Sequence, residues 1–368
     1  MKYVIVGGGN IGSVLAGELR RLHAKDEIVI VSSNVDKWSD KIDIYDHFDN
    51  LQYTARGIKV SDSFVNDADV YFYTLPKQIL SREVKKHIAL VQNKLIYFVF
   101  LPGTGGLEFL LPKDKKNIVF VGLQRVPYIA RIKEYGHSAY LLSKKDSIYY
   151  AVIGQGATID IGKLLEIKAI KLKTFLEVTL TPSNPILHTT RLYSMFSEHS
   201  PKHVYDKNIL FYEEWTDKAS EWLIKCDKEL QKILASISID LSSVKPLLVH
   251  YESFDEQSLT KKIRSIEAFK GIGSPMREVE DGFVIDLQSR YFQEDFSYGL
   301  FIIKAIADVV NVATPNIDTV LRWYQNIVNE KLIDEQNHAV ISSEYNLPQN
   351  VGIDNEQKLV DFYNKYKS

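Results

Sequence analysis

The first thirty residues alternate between short apolar runs and one longer amphipathic stretch. Tyr3–Val6 is apolar throughout and predicts a buried strand. From Ile11 to Leu22 apolar residues recur at steps of three and four, which predicts one buried face of a helix. Ile28–Val31 is again continuously apolar and predicts a second buried strand. Strand, helix and strand in this order are typical of a parallel α/β unit.

The alternation of predicted strands and helices continues to about residue 180 and then gives way to another pattern. Further apolar strands are predicted at α/β spacing over Val70–Thr74, Leu95–Leu101, Ile118–Val121 and Ile148–Ile153. Thr181–Pro185 breaks this series, and helical periods dominate beyond it, with one long stripe from Ala219 to Leu234. Thr314, followed by proline, and Asp354 are predicted to cap two later helices.

The turn after the first strand carries a G-x-G-x-x-G pattern formed by Gly7, Gly9 and Gly12. Gly7 permits the tight turn, Gly9 lets a pyrophosphate approach the backbone, and Gly12 lets the helix lie close to the sheet. Asn10 and Ile11 open the helix, whose free N–H groups and positive dipole end attract phosphate. Because the motif lies between a predicted strand and a predicted helix, it indicates a dinucleotide site.

We therefore predict an α/β fold class with two domains. Residues 1–182 form an N-terminal, Rossmann-type, doubly wound parallel sheet, and residues 183–368 form a mainly α-helical domain for catalysis and substrate binding. Ligands of such sheets bind outside the carboxyl ends of the strands. The loops after residues 6, 31, 74 and 101 should therefore meet over the cofactor, which makes Leu75 and Pro76 candidate cofactor contacts.

The end of the second strand bears on the choice between the two nicotinamide cofactors. NAD enzymes usually carry a carboxylate there for the ribose hydroxyls, whereas this chain has Ser32 and Ser33, with Lys37 close behind. Serines can donate to a 2′-phosphate and lysine can neutralise it, so we favour NADP over NAD. Asp36 remains the ribose ligand to consider if the strand runs longer and the cofactor is NAD.

Composition narrows the class of protein. The 368 residues are 45% hydrophobic and 25% charged, with a net charge of −2, so charge gives no case for nucleic acid or an anionic membrane. A single cysteine, Cys226, excludes internal disulfides and thiolate metal clusters, and we expect no metal site. With a strand starting near residue 3 and no apolar run of about twenty residues, we expect a cytoplasmic protein without a signal peptide or membrane span. The oligomeric state is open, with a homodimer among the options.

Candidate chemistry lies beyond the break. A nicotinamide enzyme needs a group that handles protons while hydride moves. His188 follows Asn184–Pro185 at the predicted domain junction, where clefts form, although a core histidine would have the same apolar neighbours. The charged segment Arg290–Asp295 could equally belong to a solvated helix surface.

Taken together, these segments resemble the opine dehydrogenase family. Asn184–His188 is similar to its N-P-x-x-H motif, and Arg290–Leu300 to its R-Y-x-x-E-D-x-x-x-G-L signature. Other similar segments, in the family's order, are Pro102–Phe109 (P-G-x-G-G), Val126–Arg131 (P-Y-x-x-R), Thr314–Pro315 and Leu347–Ile353. Each is short, but the ordered set spans nearly the whole chain.

The resemblance implies an enzyme that joins the amino group of an amino acid to the carbonyl carbon of a 2-oxo acid and reduces the resulting imine with NAD(P)H. It implies that His188 is the general acid–base and that Asp295 orients it. A histidine suits proton delivery near neutral pH, and a carboxylate on its far nitrogen would fix the tautomer. Arg290 would hold a substrate carboxylate with its guanidinium.

One departure bears on the substrate. Where the family often has glutamate, in an E-T-x-P segment, this chain has Gln124 before Arg125, Val126 and Pro127. Gln124, a candidate substrate contact, cannot pair with a cationic side chain, which speaks against an arginine-type substrate. Arg125 would favour an acidic or neutral amine donor, unless it is a surface arginine.

Two other functions compete with this one. A ketopantoate reductase-like enzyme would reduce a 2-oxo acid directly, but it usually relies on a lysine of the helical domain, for which no comparable signature is found. A non-catalytic NADP-binding sensor would need no acid–base pair, so the joint presence of His188, Arg290 and Asp295 speaks against it.

Overall fold

A computed structural model describes residues 1–156 and 159–366. The chain folds into two compact units. The first takes Met1–Val178 and the end of the chain from Lys365, and the second is Thr179–Asn364. This boundary lies four residues before the predicted one at 182/183.

The first unit is built on an eight-stranded, mostly parallel sheet. Its strands are β1 (Lys2–Val6), β2 (Glu27–Val31), β5 (Lys59–Ser61), β6 (Val70–Tyr73), β7 (Ile96–Phe100), β8 (Ile118–Leu123), β11 (Ser147–Gly154) and β12 (Lys168–Lys171). Their order is β12-β11-β8-β7-β6-β1-β2-β5, and the antiparallel pair is β8 with β11. From β5 to β8 this is the doubly wound order of a Rossmann fold, so the predicted fold class is confirmed.

Strand β1 is central because it pairs in parallel on both sides. Val6 lies beside Val31 of β2 and beside Tyr73 of β6, so three strands end level with one another. Strand order reverses between β1 and β6, and this switch point is where such sheets bind ligands. The helices of this unit are α1 (Asn10–Leu22), α2 (Lys77–Leu90), α3 (Ile161–Leu165) and, at the boundary, α4 (Leu176–Thr179), with 3₁₀ turns over Val35–Lys37 and Leu107–Leu110.

A second, four-stranded sheet was not predicted. It consists of β3 (Lys41–Tyr45), β4 (Leu51–Arg56), β9 (Tyr128–Glu134) and β10 (Ser138–Lys144), in the order β4-β3-β10-β9. This sheet packs on α1. Tyr53 of β4 donates to the buried Glu18 of α1 at 2.5 Å, and the backbone N–H of Ile132 in β9 donates to the Asn10 side chain at 2.8 Å.

The second unit is mainly α-helical, as predicted. Its helices are α5 (Leu187–Phe196), α6 (Asp217–Ala235), α7 (Leu247–His250), α8 (Glu256–Ser265), α9 (Arg290–Gln293), α10 (Phe301–Val309), α11 (Pro315–Val328) and α12 (Glu356–Asn364). It also has 3₁₀ turns at Glu267–Phe269 and Pro348–Val351, a π-helical turn at Phe296–Leu300, and a hairpin of β13 (Met276–Val279) and β14 (Gly282–Ile285).

The capping predictions are confirmed only in part. Thr314 is the N-cap residue of α11 and Pro315 its first residue, as predicted, but the Thr314 hydroxyl donates to Asp318 at 2.9 Å instead of accepting from the helix backbone. At α12 the cap is not Asp354. Asn355 accepts from the N–H of Lys358 at 3.0 Å, while Asp354 pairs with the Lys358 ammonium at 2.7 Å.

Among the helices of the two described stretches, none is both long and apolar enough to cross a bilayer.

Candidate active site

The three motif glycines have different structural reasons. Gly7 has φ +115°, and a β-carbon there would lie 2.8 Å from the Thr74 hydroxyl, which donates to the Gly7 carbonyl at 2.9 Å. A β-carbon on Gly12 would overlap the same carbonyl oxygen. Gly9 differs, because its backbone is extended (φ −81°, ψ −165°) and a β-carbon there would meet no atom within 4 Å. The protein itself thus has no need of glycine at position 9, and the space leaves room for a ligand.

The helix start beside Gly9 suits a pyrophosphate. Among the residues that the structure describes, no side chain caps the first turn of α1, so its leading N–H groups are open to an anion. Asn10 turns its side-chain oxygen to the N–H of Ile132, and Ile11 packs against the hydrophobic core. Asn10 and Ile11 can therefore offer backbone N–H groups in a fixed position. These residues fit the phosphates of a dinucleotide.

Of the cofactor contacts predicted at the end of β2, one is buried and two are exposed. Ser32 is buried, and its hydroxyl bonds Tyr135 at 2.9 Å and accepts from the Trp38 indole at 3.2 Å. Ser33 and Lys37 are exposed, as is Asp36. Ser32 thus has its hydrogen-bonding capacity largely used within the protein, and Ser33 and Lys37 are the predicted residues that are open to a ligand.

Leu75 and Pro76 connect β6 to α2. The Leu75 side chain would lie 3.1 Å from a β-carbon on Gly7, so this loop lies against the glycine turn. Pro76 is the N-cap residue of α2, and the Lys77 ammonium contacts the carbonyls of Pro102, at 3.3 Å, and Thr104. The loops after β1, β6 and β7 therefore lie side by side.

Gln124 lies in the bend after β8. Its backbone N–H donates to the Tyr149 carbonyl at 2.8 Å, and its side chain is partly exposed, beside the exposed Arg125. Both residues belong to the first unit, as do the glycine turn and the end of β2.

In the second unit the structure brings His188 and Asp295 together. Nδ1 of His188 lies 2.8 Å from Oδ2 of Asp295, although 107 residues separate them in the chain. The two side chains are 12% and 17% exposed, so the pair is shielded but can be reached. A carboxylate at Nδ1 favours the tautomer with the proton on that nitrogen and leaves Nε2 for exchange.

The local fold explains this pairing. Asp295 directly precedes the π-helical turn, in which the N–H of Leu300 donates to the Asp295 carbonyl at 2.9 Å. A β-carbon on Gly299, within that turn, would lie 3.0 Å from Pro185. Pro185 therefore packs on Gly299, and this close approach holds the start of α5, with His188, against Asp295. Pro185 of the first motif and Gly299 of the second thus position His188 and Asp295 together, with Gly299 in a π-helical turn of the kind often found at functional sites.

Arg290 is already paired. Its Nε and Nη2 donate to the two oxygens of Glu294 at 2.8 and 3.0 Å. The Arg290 side chain is 74% exposed and that of Glu294 9%. The hydrogen bonds that Arg290 donates to Glu294 are the main cause that raises the pKa of Arg290. Because Glu294 takes one edge of the guanidinium, the edge formed by Nη1 and Nη2 is left to bind a second anion.

Two tyrosines at His188 were not predicted. The Tyr212 hydroxyl lies 2.9 Å from Nε2, and the Tyr291 ring lies 4.7 Å from the imidazole. Tyr291 lies within the R-Y-x-x-E-D segment, so the motif could have indicated it. Tyr212 follows His188 by 24 residues in an irregular segment, and nothing in its sequence context marks it among 21 tyrosines.

The helical unit carries a family signature. Residues 171–328 match the family described as NAD/NADP octopine/nopaline dehydrogenase, alpha-helical domain. The helical unit is thus similar to that of the opine dehydrogenase family, which indicates an oxidoreductase of the opine dehydrogenase type with a nicotinamide dinucleotide cofactor.

Relatives with opine dehydrogenase names cover most of this chain. Tauropine dehydrogenase of Arabella iricolor is 25% identical over 373 residues, covering 89% of this chain and 92% of that protein. The structure of octopine dehydrogenase with NADH and L-arginine is 22% identical, with a TM-score of 0.84 over 98% of both chains. Yersinopine dehydrogenase with bound NADP⁺ shares the fold at 13% identity, with a TM-score of 0.67 over 99% of both chains.

Proposed function

We propose that this protein condenses the amino group of an amino acid with a 2-oxo acid and reduces the imine at the expense of NAD(P)H. The observation that carries the proposal is the 2.8 Å pairing of His188 with Asp295 inside the helical unit that matches the family. In this proposal the first unit binds the cofactor and the second unit supplies the acid–base pair.

The condensation needs protons moved in both directions. A proton must leave the substrate ammonium before its nitrogen attacks the carbonyl, and one must reach the departing oxygen when water is lost. His188 serves as base and then as acid, because imidazole exchanges protons near neutral pH. Asp295 keeps the proton on Nδ1 and stabilises the imidazolium that forms between the two steps.

Arg290 is the proposed anchor for a substrate carboxylate. Its end-on edge is free of Glu294, and a planar guanidinium binds a carboxylate through two parallel hydrogen bonds. Glu294 holds the arginine in one orientation, so the anchor is preorganised next to Asp295 in the chain. The same ion pair leaves Arg290 with less net positive charge than a lone arginine would have.

Gly7, Gly9, Gly12 and the start of α1 are proposed to hold the dinucleotide. The bound cofactor supplies the hydride for reduction. Ser33 and Lys37 are exposed at the end of β2 and suit a 2′-phosphate, so we propose a preference for NADP. The NADP⁺ bound by yersinopine dehydrogenase is consistent with that choice within this fold.

The amine donor is proposed to be a neutral or acidic amino acid. Gln124 offers no charge to a cationic side chain, and Arg125 next to it is exposed and positive. The relatives carry the names of different opines, tauropine and octopine, so the amine donor varies among proteins similar to this chain.

The test is cofactor oxidation with purified protein. NADPH or NADH is mixed with a series of 2-oxo acids, with and without neutral, acidic and basic amino acids, and products are analysed by mass spectrometry. We expect oxidation to require both substrates and to yield the secondary amine. Oxidation without any amine would contradict the proposal and indicate direct reduction of the 2-oxo acid. Tight cofactor binding without turnover across the panel would contradict it in favour of a sensor.

A further inference from the structure

The hydroxyl of Tyr212 occupies the nitrogen of His188 that faces away from Asp295. With Asp295 on Nδ1, the nitrogen left for proton exchange is Nε2, and the Tyr212 oxygen lies 2.9 Å from it. An imidazole nitrogen makes one in-plane hydrogen bond, by its lone pair when neutral or by its N–H when charged. A substrate oxygen therefore cannot take that direction while Tyr212 holds it.

Tyr212 is fixed from several sides. It is 6% exposed, and its ring stacks on Phe269 with centroids 4.1 Å apart and planes 19° from parallel. Arg191, three residues after His188 on α5, donates to the carbonyls of Phe211 at 2.9 Å and Glu214 at 2.8 Å. One helix thus carries both the histidine and the arginine that clamps the turn bearing Tyr212. Moving Tyr212 aside would break several of these contacts.

A phenol hydroxyl can both donate and accept. It donates to Nε2 when the imidazole is neutral and accepts from the Nε2–H of the imidazolium. Burial raises the pKa of Tyr212, with Tyr291 adding to the effect, so the phenol keeps its proton at neutral pH. While it accepts from the Nε2–H of the imidazolium, the Tyr212 hydroxyl still has its own proton to donate, and the Tyr291 side chain is a further hydrogen-bond partner of Tyr212.

Resting on the proposed function, we propose that Tyr212 is a proton relay between His188 and the reacting oxygen. When the carbinolamine loses water, the Tyr212 O–H bond breaks as its proton joins the departing hydroxyl oxygen. The carbon–oxygen bond breaks with that electron pair, and the nitrogen lone pair forms the C=N bond. The Nε2–H bond then breaks to restore the Tyr212 O–H, leaving His188 neutral with its remaining proton on Nδ1 toward Asp295.

The proton balance of the overall reaction agrees with these transfer steps. An alkylammonium, a 2-oxo acid, a hydride and one proton give a secondary ammonium and one water, so each turnover takes up one proton. His188 takes its proton from the substrate ammonium, and the proton taken up from solvent converts the amine formed by hydride transfer into the secondary ammonium. The relay thus gives each of the three side chains one task, with Asp295 orienting, His188 storing the proton and Tyr212 delivering it.

The first test is Tyr212→Phe, which removes the hydroxyl and keeps the ring. Tyr205→Phe is the matched control, because within the described chain the buried Tyr205 hydroxyl has no hydrogen-bond partner. We expect Tyr212→Phe to lower kcat about 100-fold or more, with KM and cofactor Kd within about threefold of the wild type. We expect Tyr205→Phe to retain wild-type kcat. A Tyr212→Phe kcat within about threefold of the wild type would overturn the relay.

The second test keeps the hydroxyl and changes its acidity. Fluorotyrosines with one, two or three ring fluorines are incorporated at position 212, which preserves packing even where Tyr212→Phe fails to fold. We expect log kcat to vary in step with phenol acidity, since a relaying proton follows Brønsted behaviour. A kcat that is the same across the series would mean that the hydroxyl only positions His188, and would overturn the relay. Formation of the secondary amine by wild-type protein, measured in the same assays, separates failure of the relay from failure of the proposed function.

Discussion

Pro185 lies so close to Gly299 that a β-carbon on the glycine would be 3.0 Å from Cγ of the proline. This contact joins the turn before α5 to the π-helical turn after Asp295. It therefore sets how closely His188 can approach Asp295, which it meets at 2.8 Å. The glycine serves the geometry of the pair rather than a positive φ.

Gly299→Ala tests this relationship. The added methyl group must push Pro185 away by a few tenths of an ångström, which shifts His188 relative to Asp295. We expect kcat to fall about tenfold, because small misplacements of reacting groups are costly. Unfolding free energy should change by less than about 1 kcal/mol, since alanine's helix propensity offsets part of the strain. An unchanged kcat in a stable variant would show that the contact does not position the pair.

Gly9→Val tests the cofactor turn. The extended backbone at Gly9 accepts valine, and the β-carbon would point into open space, so the fold should persist. A side chain there would exclude the pyrophosphate, and cofactor binding by calorimetry should be lost. Gly12→Val is the contrasting variant, because its β-carbon would overlap the Gly7 carbonyl and should lower the melting temperature as well. Normal cofactor affinity in Gly9→Val would show that the dinucleotide binds elsewhere.

Lys37→Met tests the choice of cofactor. If the exposed Lys37 neutralises the 2′-phosphate, NADPH affinity should fall roughly ten- to a hundredfold, while NADH affinity stays the same. Wild-type protein should bind NADPH more tightly than NADH in the same titration. Tighter binding of NADH by the wild type would instead indicate Asp36 as the ligand of the ribose.

The parallel sheet and the dyad could be predicted for physical reasons. Strands buried on both faces are continuously apolar, so β1, β2, β6, β7 and β8 stand out in the sequence. β11 stands out as well because it is apolar, although its Tyr149 is exposed. The glycine turn could be recognised because all the residues that determine its backbone conformation lie within six positions of the sequence. His188 and Asp295 were found through their motifs, but their meeting across 107 residues rests on the Pro185–Gly299 contact, which no local pattern encodes.

The small sheet and Tyr212 could not be found in the same way. Ile42 and Ile44 alternate with polar neighbours, which is a weak strand signal over only five residues. The partner of that strand in parallel pairing, β10, lies about a hundred residues later. Arg191 positions Tyr212 by donating to backbone carbonyls on either side of it. Because every residue has a backbone carbonyl, such contacts cannot be predicted from residue types or their spacing.

A buried histidine outside the site predicts a pH dependence of stability. His87 stacks on Phe64 and bonds Tyr73 at 3.0 Å, and burial lowers its pKa to about 4. Between pH 6.5 and 4 the unfolded chain therefore binds the proton and the folded chain does not, so stability falls as pH drops. This contributes at most about 3 kcal/mol. Urea unfolding of His87→Gln should show a shallower loss over that range than the wild type, and parallel curves would contradict the assignment.

The central claim is that the pair of His188 and Asp295 moves the protons of a reductive condensation. Its most direct measurement compares secondary-amine formation by wild-type protein, His188→Ala and Asp295→Asn, together with the cofactor Kd of each. We predict turnover about 10²–10⁴-fold lower in His188→Ala and severely reduced in Asp295→Asn, whose amide is the wrong hydrogen-bonding partner, with cofactor Kd unchanged in both. Variants that fold, bind cofactor and still form the product at the wild-type rate would contradict the claim.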